Sequence, residues 1–204
     1  MNGKKILLTT TFLFICFCTF AQEYSLEQDG RLSFSKVIFS KDSTATKESL
    51  YNIIQAYFSY YYNDGKSVIQ TVNPEEGYII GNGYYVDVYD YTNSAIGRKG
   101  YYTSQHIIRV DCKDGRVRVI VTVNMYSIRV CNWMDYDLDV SISEDKISTL
   151  YPIVSQVNPK KLTKSEKRSD EAFKSLVARI NSQFDKIEET IQQKGGSVIQ
   201  TEDW

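Results

Sequence analysis

The chain has a single histidine, His106, so any Ser-His or Cys-His nucleophilic site would have to use it as the general base. His106 lies in a valine-rich segment in which apolar and polar residues alternate, and this pattern directs its side chain into the core of a predicted β-hairpin. A general base must reach both substrate and solvent. We therefore expect His106 to be a buried structural residue, and we predict no catalytic residue in the chain.

Three carboxylates at Asp135, Asp137 and Asp139 resemble the opening of a calcium-binding loop. The loop is incomplete, because Val140 occupies the position that needs glycine and Lys146 the position that needs a bidentate glutamate. The aspartates alternate with apolar residues, which is typical of the solvent-facing side of a strand. We expect a strand here and no calcium site.

Two further patterns fall short of a cofactor site. Gly81 and Gly83 lack the third glycine and the following helix that a nucleotide-binding loop needs. One histidine together with Cys112 and Cys131, nineteen positions apart, does not form a zinc-binding pattern. The sequence therefore predicts neither a metal nor another cofactor.

Tyrosine is the residue type in excess, with sixteen in the chain. It suits binding surfaces, because its ring combines a large apolar area with a polar hydroxyl, and ordinary packing within half-buried strands is the alternative interpretation. If Val86 and Val88 face the helices, the residues that alternate with them line the opposite, open face of the sheet. These predicted ligand-binding or partner-binding residues are Tyr85, Asp87, Tyr89 and Tyr91.

Two amphipathic helices would position such a surface. Apolar residues recur at the helical period from Leu50 to Tyr61, with Thr44 or Thr46 as the N-cap. A second stripe of the same period runs from Phe173 to Ile191. Each helix has one apolar face, so each is expected to cover one side of a sheet.

The clearest strand pairing is a hairpin in which residues 102–112 and 116–125 flank an Asp-Gly turn. With that two-residue turn, Cys112 lies opposite Val117. Because side chains alternate between the two faces of a strand, the pairing predicts one core face. Its members are His106, Ile108, Val110, Cys112, Val117, Val119, Val121 and Val123.

Further strands are predicted at 31–40, 67–72, 78–80, 84–91 and 136–142. The glycines between 78–80 and 84–91 are compatible with a tight turn or with a bulge in one longer strand. Together, the elements predict an α+β fold, an antiparallel sheet of about five to six strands with two helices packed on one face. The other face is then open or bound by a partner.

The N-terminal residues have the three parts of a secretory signal peptide: Lys4 and Lys5, an apolar run over 6–18, and Ala21 before the expected cleavage site. We expect export through the Sec pathway to the periplasm or the exterior. The apolar run is too short to cross a bilayer, and no later run is longer, so no membrane span is predicted. The predicted organisation is a signal peptide over 1–21, a lead over 22–30, one domain over 31–194 and a tail over 195–204.

Cleavage removes two of the 24 basic residues, which leaves 22 against 25 acidic ones and a net charge near −3 with histidine neutral. A protein that binds nucleic acid usually has a basic excess, so we predict no nucleic-acid partner. Only Cys112 and Cys131 remain after cleavage. A disulfide between them and two separate buried thiols are both compatible with the sequence.

Five segments combine into a recognisable pattern. They are Ser35-Lys36-Val37-Ile38, Leu50-Tyr51-Asn52, Val68-Ile69-Gln70, the run from Glu76 to Gly83, and Lys113-Asp114-Gly115-Arg116. In combination they resemble a family of exported Gram-negative bacterial domains of unknown function, whose fold is described as like one repeat of the TATA-binding protein. The resemblance covers roughly residues 31–125. It implies a curved antiparallel sheet with two helices on one side, and it implies neither an activity nor site residues.

The expected function is an exported, non-enzymatic binding or assembly module of the bacterial cell envelope, with an envelope protein, a peptide or a glycan as its partner. One alternative is a hydrolase that uses a carboxylate pair, because glycoside chemistry needs only two carboxylates at a suitable separation. The candidate carboxylates are Asp87, Asp135, Asp137 and Asp139. The other alternative is a structural subunit that forms a homodimer through its open sheet face.

Overall fold

The computed structural model describes residues 24–62, 68–95, 97–132, 141–150 and 161–194. The strands there are β1 (Tyr24–Leu26), β2 (Leu32–Phe39), β3 (Ile69–Asn73), β4 (Tyr78–Asn93), β5 (Arg98–Lys113), β6 (Arg116–Asn132) and β7 (Ser141–Lys146). The helices are α1 (Lys47–Tyr61) and α2 (Lys164–Lys194), and a short 3-10 helix (Ile147–Thr149) follows β7. The predicted signal peptide and C-terminal tail lie outside the described residues.

The strands form one antiparallel sheet in the order β1-β2-β6-β5-β4-β3, and β7 also pairs with β6. Because β5 pairs with β6 over its whole length, β2 and β7 must share the other edge of β6. There, β2 pairs with residues 116–123 and β7 with residues 125–130. The α+β prediction is confirmed, with seven strands instead of five to six, because β1 comes from the predicted lead.

The hairpin of β5 and β6 has the predicted register, with Cys112 opposite Val117 and His106 opposite Val123. All eight residues of the predicted core face are buried. Both helices pack on this face, and the core also includes residues of β2, β4 and the short 3-10 helix. We call it the helix face, and we call the other side of the sheet the open face.

The first helix begins where the sequence predicts a cap. The Oγ1 atom of Thr46 accepts a hydrogen bond from the Ser49 N–H at 3.1 Å, which satisfies one of the free backbone donors of the first turn. Helix α1 buries Leu50, Ile54 and Phe58, and α2 buries an equivalent stripe. Each such side chain stabilises the fold by about 1.5–3 kcal/mol relative to an exposed one. The stripe of α2 is Leu176, Ile180, Phe184, Ile187 and Ile191.

A charged residue of β2 lies on the helix face. The Nζ atom of Lys36 is 3.1 Å from Oδ1 of Asp185 and 2.8 Å from Oε2 of Glu188, and both carboxylates belong to α2. Its hydrogen bonds to these carboxylates raise the pKa of Lys36, although partial burial opposes them. The ion pairs therefore link the β2 side of the sheet to α2.

Strand β4 runs without interruption through Gly81 and Gly83, so these glycines do not form a tight turn. A Cβ atom on Gly81 would lie 2.8 Å from the ring of Phe58, and one on Gly83 would lie 2.8 Å from the ring of His106. The missing side chains thus let the rings of α1 and β5 approach the backbone of β4.

A bulge interrupts the second half of β4. Tyr85 pairs with Ser104 and Tyr89 with Tyr102, so the step from 85 to 89 on β4 matches a two-residue step on β5. Within this bulge, Asp87 has a left-handed backbone with φ of 48°. Because the bulge adds an even number of residues, Tyr85 and Tyr89 remain on the same face of the sheet.

The two cysteines are separate buried thiols. Cys112 lies opposite Val117 at one end of the hairpin, and Cys131 is fourteen residues further along β6 than Val117 (131 − 117). Fourteen strand residues span roughly 46 Å, whereas a disulfide needs Cα atoms within about 7 Å. Of the two alternatives, the structure has separate thiols.

Substitutions at Asp87 test the bulge. We expect Asp87→Val to lower the free energy of unfolding by about 1–2 kcal/mol, because a β-branched residue is disfavoured in the left-handed region, and Asp87→Gly to cause no loss. Urea unfolding of the variants measures the effect. The matched control is Asp90→Val at a nearby exposed strand position, and an equal loss in both valine variants would contradict the strained backbone at Asp87.

Candidate functional site

The three tyrosines predicted to form a binding surface on the open face lie on the helix face. Tyr85 lies on the helix face and is only 4% exposed, and its hydroxyl donates a hydrogen bond to Oε1 of Gln183 on α2. Val86, which was expected to face the helices, is 60% exposed on the open face. The prediction that Tyr85 lines the open face is therefore wrong.

Tyr89 and Tyr91 share the helix face with Tyr85. The ring of Tyr89 packs against that of Tyr102 with centroids 5.6 Å apart, and the ring of Tyr91 covers Gly100. The guanidinium of Arg168 on α2 lies over the Tyr91 ring at 4.1 Å. The three tyrosines were correctly grouped on one face, but they pack within the protein, as the alternative interpretation stated.

His106 lies at the centre of a buried polar cluster. Its ring stacks on that of Tyr85 with centroids 3.9 Å apart, and its Nε2 atom is 3.1 Å from the Tyr62 hydroxyl. Nε2 of Gln183 donates to the same hydroxyl at 2.8 Å. The Tyr62 hydroxyl thus links Gln183 of α2 to His106 of β5.

Burial lowers the pKa of His106 from 6.5 to about 4 and raises the pKa of Tyr62 and Tyr85. The cluster is thus uncharged near neutral pH. Because the His106 side chain is 1% exposed, it cannot act as a general base on an external substrate. The expectation of a buried structural histidine is confirmed.

The open face carries large apolar side chains that no helix covers. Tyr84 and Val86 of β4 are 63% and 60% exposed, and Ile107 of β5 lies diagonally beside Tyr84. We call these three residues the apolar patch. Phe39, at the end of β2, is 65% exposed on the same face.

Basic residues occupy another part of the open face, at the turn of the β5–β6 hairpin. Lys113 pairs with Arg116 across the turn, and Arg118 lies two residues further along β6. We call these three residues the basic corner. Together with Val37 and Asp111 they line a depression of about 220 Å³.

Asp111 organises the arginines around this depression. Its Oδ1 atom accepts from Nε of Arg109 at 2.8 Å, and its Oδ2 atom accepts from Nη2 of Arg118 at 2.8 Å. The guanidinium of Arg109 also lies over the ring of Tyr78 at 4.7 Å. The Asp111 side chain is 16% exposed and both of its oxygens are engaged, whereas the side chains of Arg109 and Arg118 are 42% and 55% exposed.

Sequence reasoning missed the apolar patch and the basic corner, although one signal was available. The predicted core face of the hairpin requires that the residues between the core positions point the other way. This rule places Arg116, Arg118, Lys113 and Ile107 on the open face. No comparable rule locates Tyr84, because β4 has apolar residues at successive positions.

Of the four carboxylate residues proposed for a hydrolase, one lies within the described residues. Asp87 is exposed in the bulge of β4, whereas Asp135, Asp137 and Asp139 lie outside the described residues. Within the described part of the chain, no three histidine, cysteine or acidic side chains are grouped so that they could hold a metal ion. No described helix combines the length and the apolar character that a bilayer crossing requires.

The geometry defines a TBP-like α+β fold. Residues 34–127 match the model of a family described as a domain of unknown function (DUF4468) with TBP-like fold, which confirms the resemblance to such a family and its fold. No curated protein matches the chain.

Two crystal structures show the same fold. A TBP-like protein from Parabacteroides distasonis is 13% identical with a TM-score of 0.57, and the match covers 82% of this chain and 96% of that one. A DUF4468 family protein from Bacteroides ovatus is 16% identical with a TM-score of 0.52, covering 85% and 91%. At these identities the likeness concerns the fold alone.

The buried histidine predicts a pH dependence of stability. The pKa of His106 is lower in the folded chain than its usual 6.5, so the unfolded chain binds the proton first and stability falls as the pH drops from 6.5 to 4. Relative to His106→Gln, the wild type should lose roughly 3 kcal/mol of unfolding free energy between pH 7 and pH 4. Urea unfolding of both proteins at each pH measures the difference in their unfolding free energies. A difference that does not change with pH would refute the lowered pKa of His106.

Proposed function

We propose that the chain is an exported, non-enzymatic binding or assembly module of the bacterial cell envelope, and that the open sheet face is its contact surface. The observation that carries the proposal is the exposure of Tyr84 and Val86 on a face that neither helix covers. Neighbouring exposed apolar side chains rimmed by polar ones are typical of interaction surfaces. An envelope protein, a peptide or a glycan fits the proposal.

Tyr84 has the properties of a contact residue. An aromatic ring with a hydroxyl offers a large apolar area while losing little conformational freedom on binding. Gln105 lies directly opposite Tyr84 in the register, and Ile107 lies diagonally beside it. A partner would therefore meet an apolar centre with polar groups at its margin, which is the usual arrangement of a protein interface.

The absence of a catalytic role is part of the proposal. The single histidine is buried and hydrogen-bonded, and Asp87 stands in a bulge on an exposed strand. An inverting or retaining glycosidase needs two carboxylates at a defined separation. Of the four candidate carboxylates only Asp87 lies in the described residues, and the exposed apolar side chains are what favour a binding role.

Photo-crosslinking tests the contact surface. In bacterial cells that naturally carry the chain, a photoreactive residue at position 84 should yield discrete adducts. The same residue at position 60 on α1, where Tyr60 is also strongly exposed, should yield few or none. An adduct of twice the mature mass identifies a homodimer, and any other mass identifies a partner. Equal yields at both positions, or no adduct at 84, would reject the open face as the contact surface.

Export is tested by the N-terminus of the mature chain. If the signal peptide is cleaved as proposed, mass spectrometry should find Gln22 as the first residue. Ala21→Arg removes the small residue before the cleavage site and should leave the signal peptide attached. A chain that starts at Met1 in the cytoplasmic fraction would contradict export.

A further inference from the structure

We propose that the basic corner of the open face binds the phosphate group of a phosphomonoester. The site goes beyond the contact surface proposed above, because it uses Lys113, Arg116 and Arg118 and none of the residues of the apolar patch.

The charge of the corner is largely uncompensated. Three cations line the depression against one carboxylate, that of Asp111, and Lys113 and Arg116 form no ion pair with a carboxylate of the described residues. Asp114 in the hairpin turn is not among the residues that line the depression, and its Oδ1 atom accepts a hydrogen bond from the Lys47 N–H at 2.7 Å, at the start of α1. The lining therefore carries an excess of two positive charges.

Part of the site is held in place before a ligand arrives. Both Nε and Nη2 of Arg118 donate to Oδ2 of Asp111, at 3.1 and 2.8 Å, which fixes the plane of the guanidinium. Asp111 is itself tied by Arg109. An arginine that is already oriented loses less side-chain entropy when it binds an oxyanion. Because Asp111 occupies the edge formed by Nε and Nη2, the other N–H groups of Arg118 are those that can donate to a phosphate.

Size and charge together select the ligand class. A depression of about 220 Å³ is smaller than the ~300–1,000 Å³ of sites that enclose a whole drug-sized ligand, so it accommodates a group of a larger molecule. A phosphomonoester carries roughly −1.5 to −2 charges at pH 7 and balances the excess of two, whereas a carboxylate would leave one cation uncompensated.

The wall of the depression indicates an ester in preference to free phosphate. Val37 lines it, directly opposite Arg118 in the register, and the exposed ring of Phe39 lies opposite Arg116. An organic group attached to the phosphate would contact these apolar side chains. We therefore expect an aromatic phosphomonoester to bind more tightly than inorganic phosphate.

Calorimetric titration of the mature chain at low salt tests the site, with phenyl phosphate as the probe. Benzenesulfonate keeps the ring and a tetrahedral oxyanion but has one charge, and inorganic phosphate keeps the charge but lacks the ring. We expect saturable binding of phenyl phosphate, at least about fivefold weaker binding of each analogue, and weaker binding of phenyl phosphate below pH 6, where its second ionisation is lost.

The matched variants are Lys113→Gln with Arg116→Gln, compared with Arg129→Gln, which removes one charge from a distant part of the same face. The double variant should weaken binding of phenyl phosphate at least tenfold, while Arg129→Gln should change it less than twofold. Thermal unfolding checks that the variants fold. Absence of saturable binding to the folded wild type, or an equal loss in the double variant and Arg129→Gln, would overturn the proposal. Tyr84→Ser should leave phosphate binding unchanged, so this site and the apolar contact surface can fail independently.

Discussion

The alternation of side chains along the β5–β6 hairpin is the constraint on which the rest of the structure depends. Every second residue of these strands is a core residue, so the residues between them must face away from the core. The valines of β6 determine which side α1 and α2 cover, because the apolar stripes of the helices are buried against them. The same register places Arg116 and Arg118 on the uncovered side. One pattern thus determines both the core and the composition of the open face.

The parts of the fold that could be predicted are those in which a short stretch of sequence is compatible with only one local structure. The Asp-Gly turn at 114–115 fixes the hairpin register, and one apolar stripe on each of α1 and α2 fixes the side that the helix buries. The cap at Thr46 is equally local, because it needs only the hydroxyl and the N–H of Ser49. Strands β1 and β7 were harder to predict, since a short strand at an edge depends on its neighbour for pairing more than on its own sequence.

Strand β4 could not be oriented from its sequence, because apolar residues occupy successive positions and either face could be the buried one. Distant contacts decide the orientation: Gly83 makes room for the rings of His106 and Tyr62, and Gln183 on α2 reaches the hydroxyl of Tyr85. The bulge then keeps Tyr89 on the same face as Tyr85. The sequence therefore predicted which tyrosines share a face but not which face they share. The exposed residues on the open face are the neighbours of Tyr85, namely Tyr84 and Val86.

The open face differs from what the fold alone would require. The packing of the core does not depend on which residues occupy the outward positions. A surface selected only for solubility usually has interspersed charges of both signs. Here Tyr84 and Val86 are exposed on β4, whereas cations gather at the hairpin turn, beside the exposed Val37 and Phe39 and around one carboxylate whose two oxygens are already engaged. Neither grouping stabilises the core, and the accumulation of like charge opposes folding. An open face with an exposed apolar patch and a separate group of cations beside apolar side chains is better explained by what it binds than by how the chain folds.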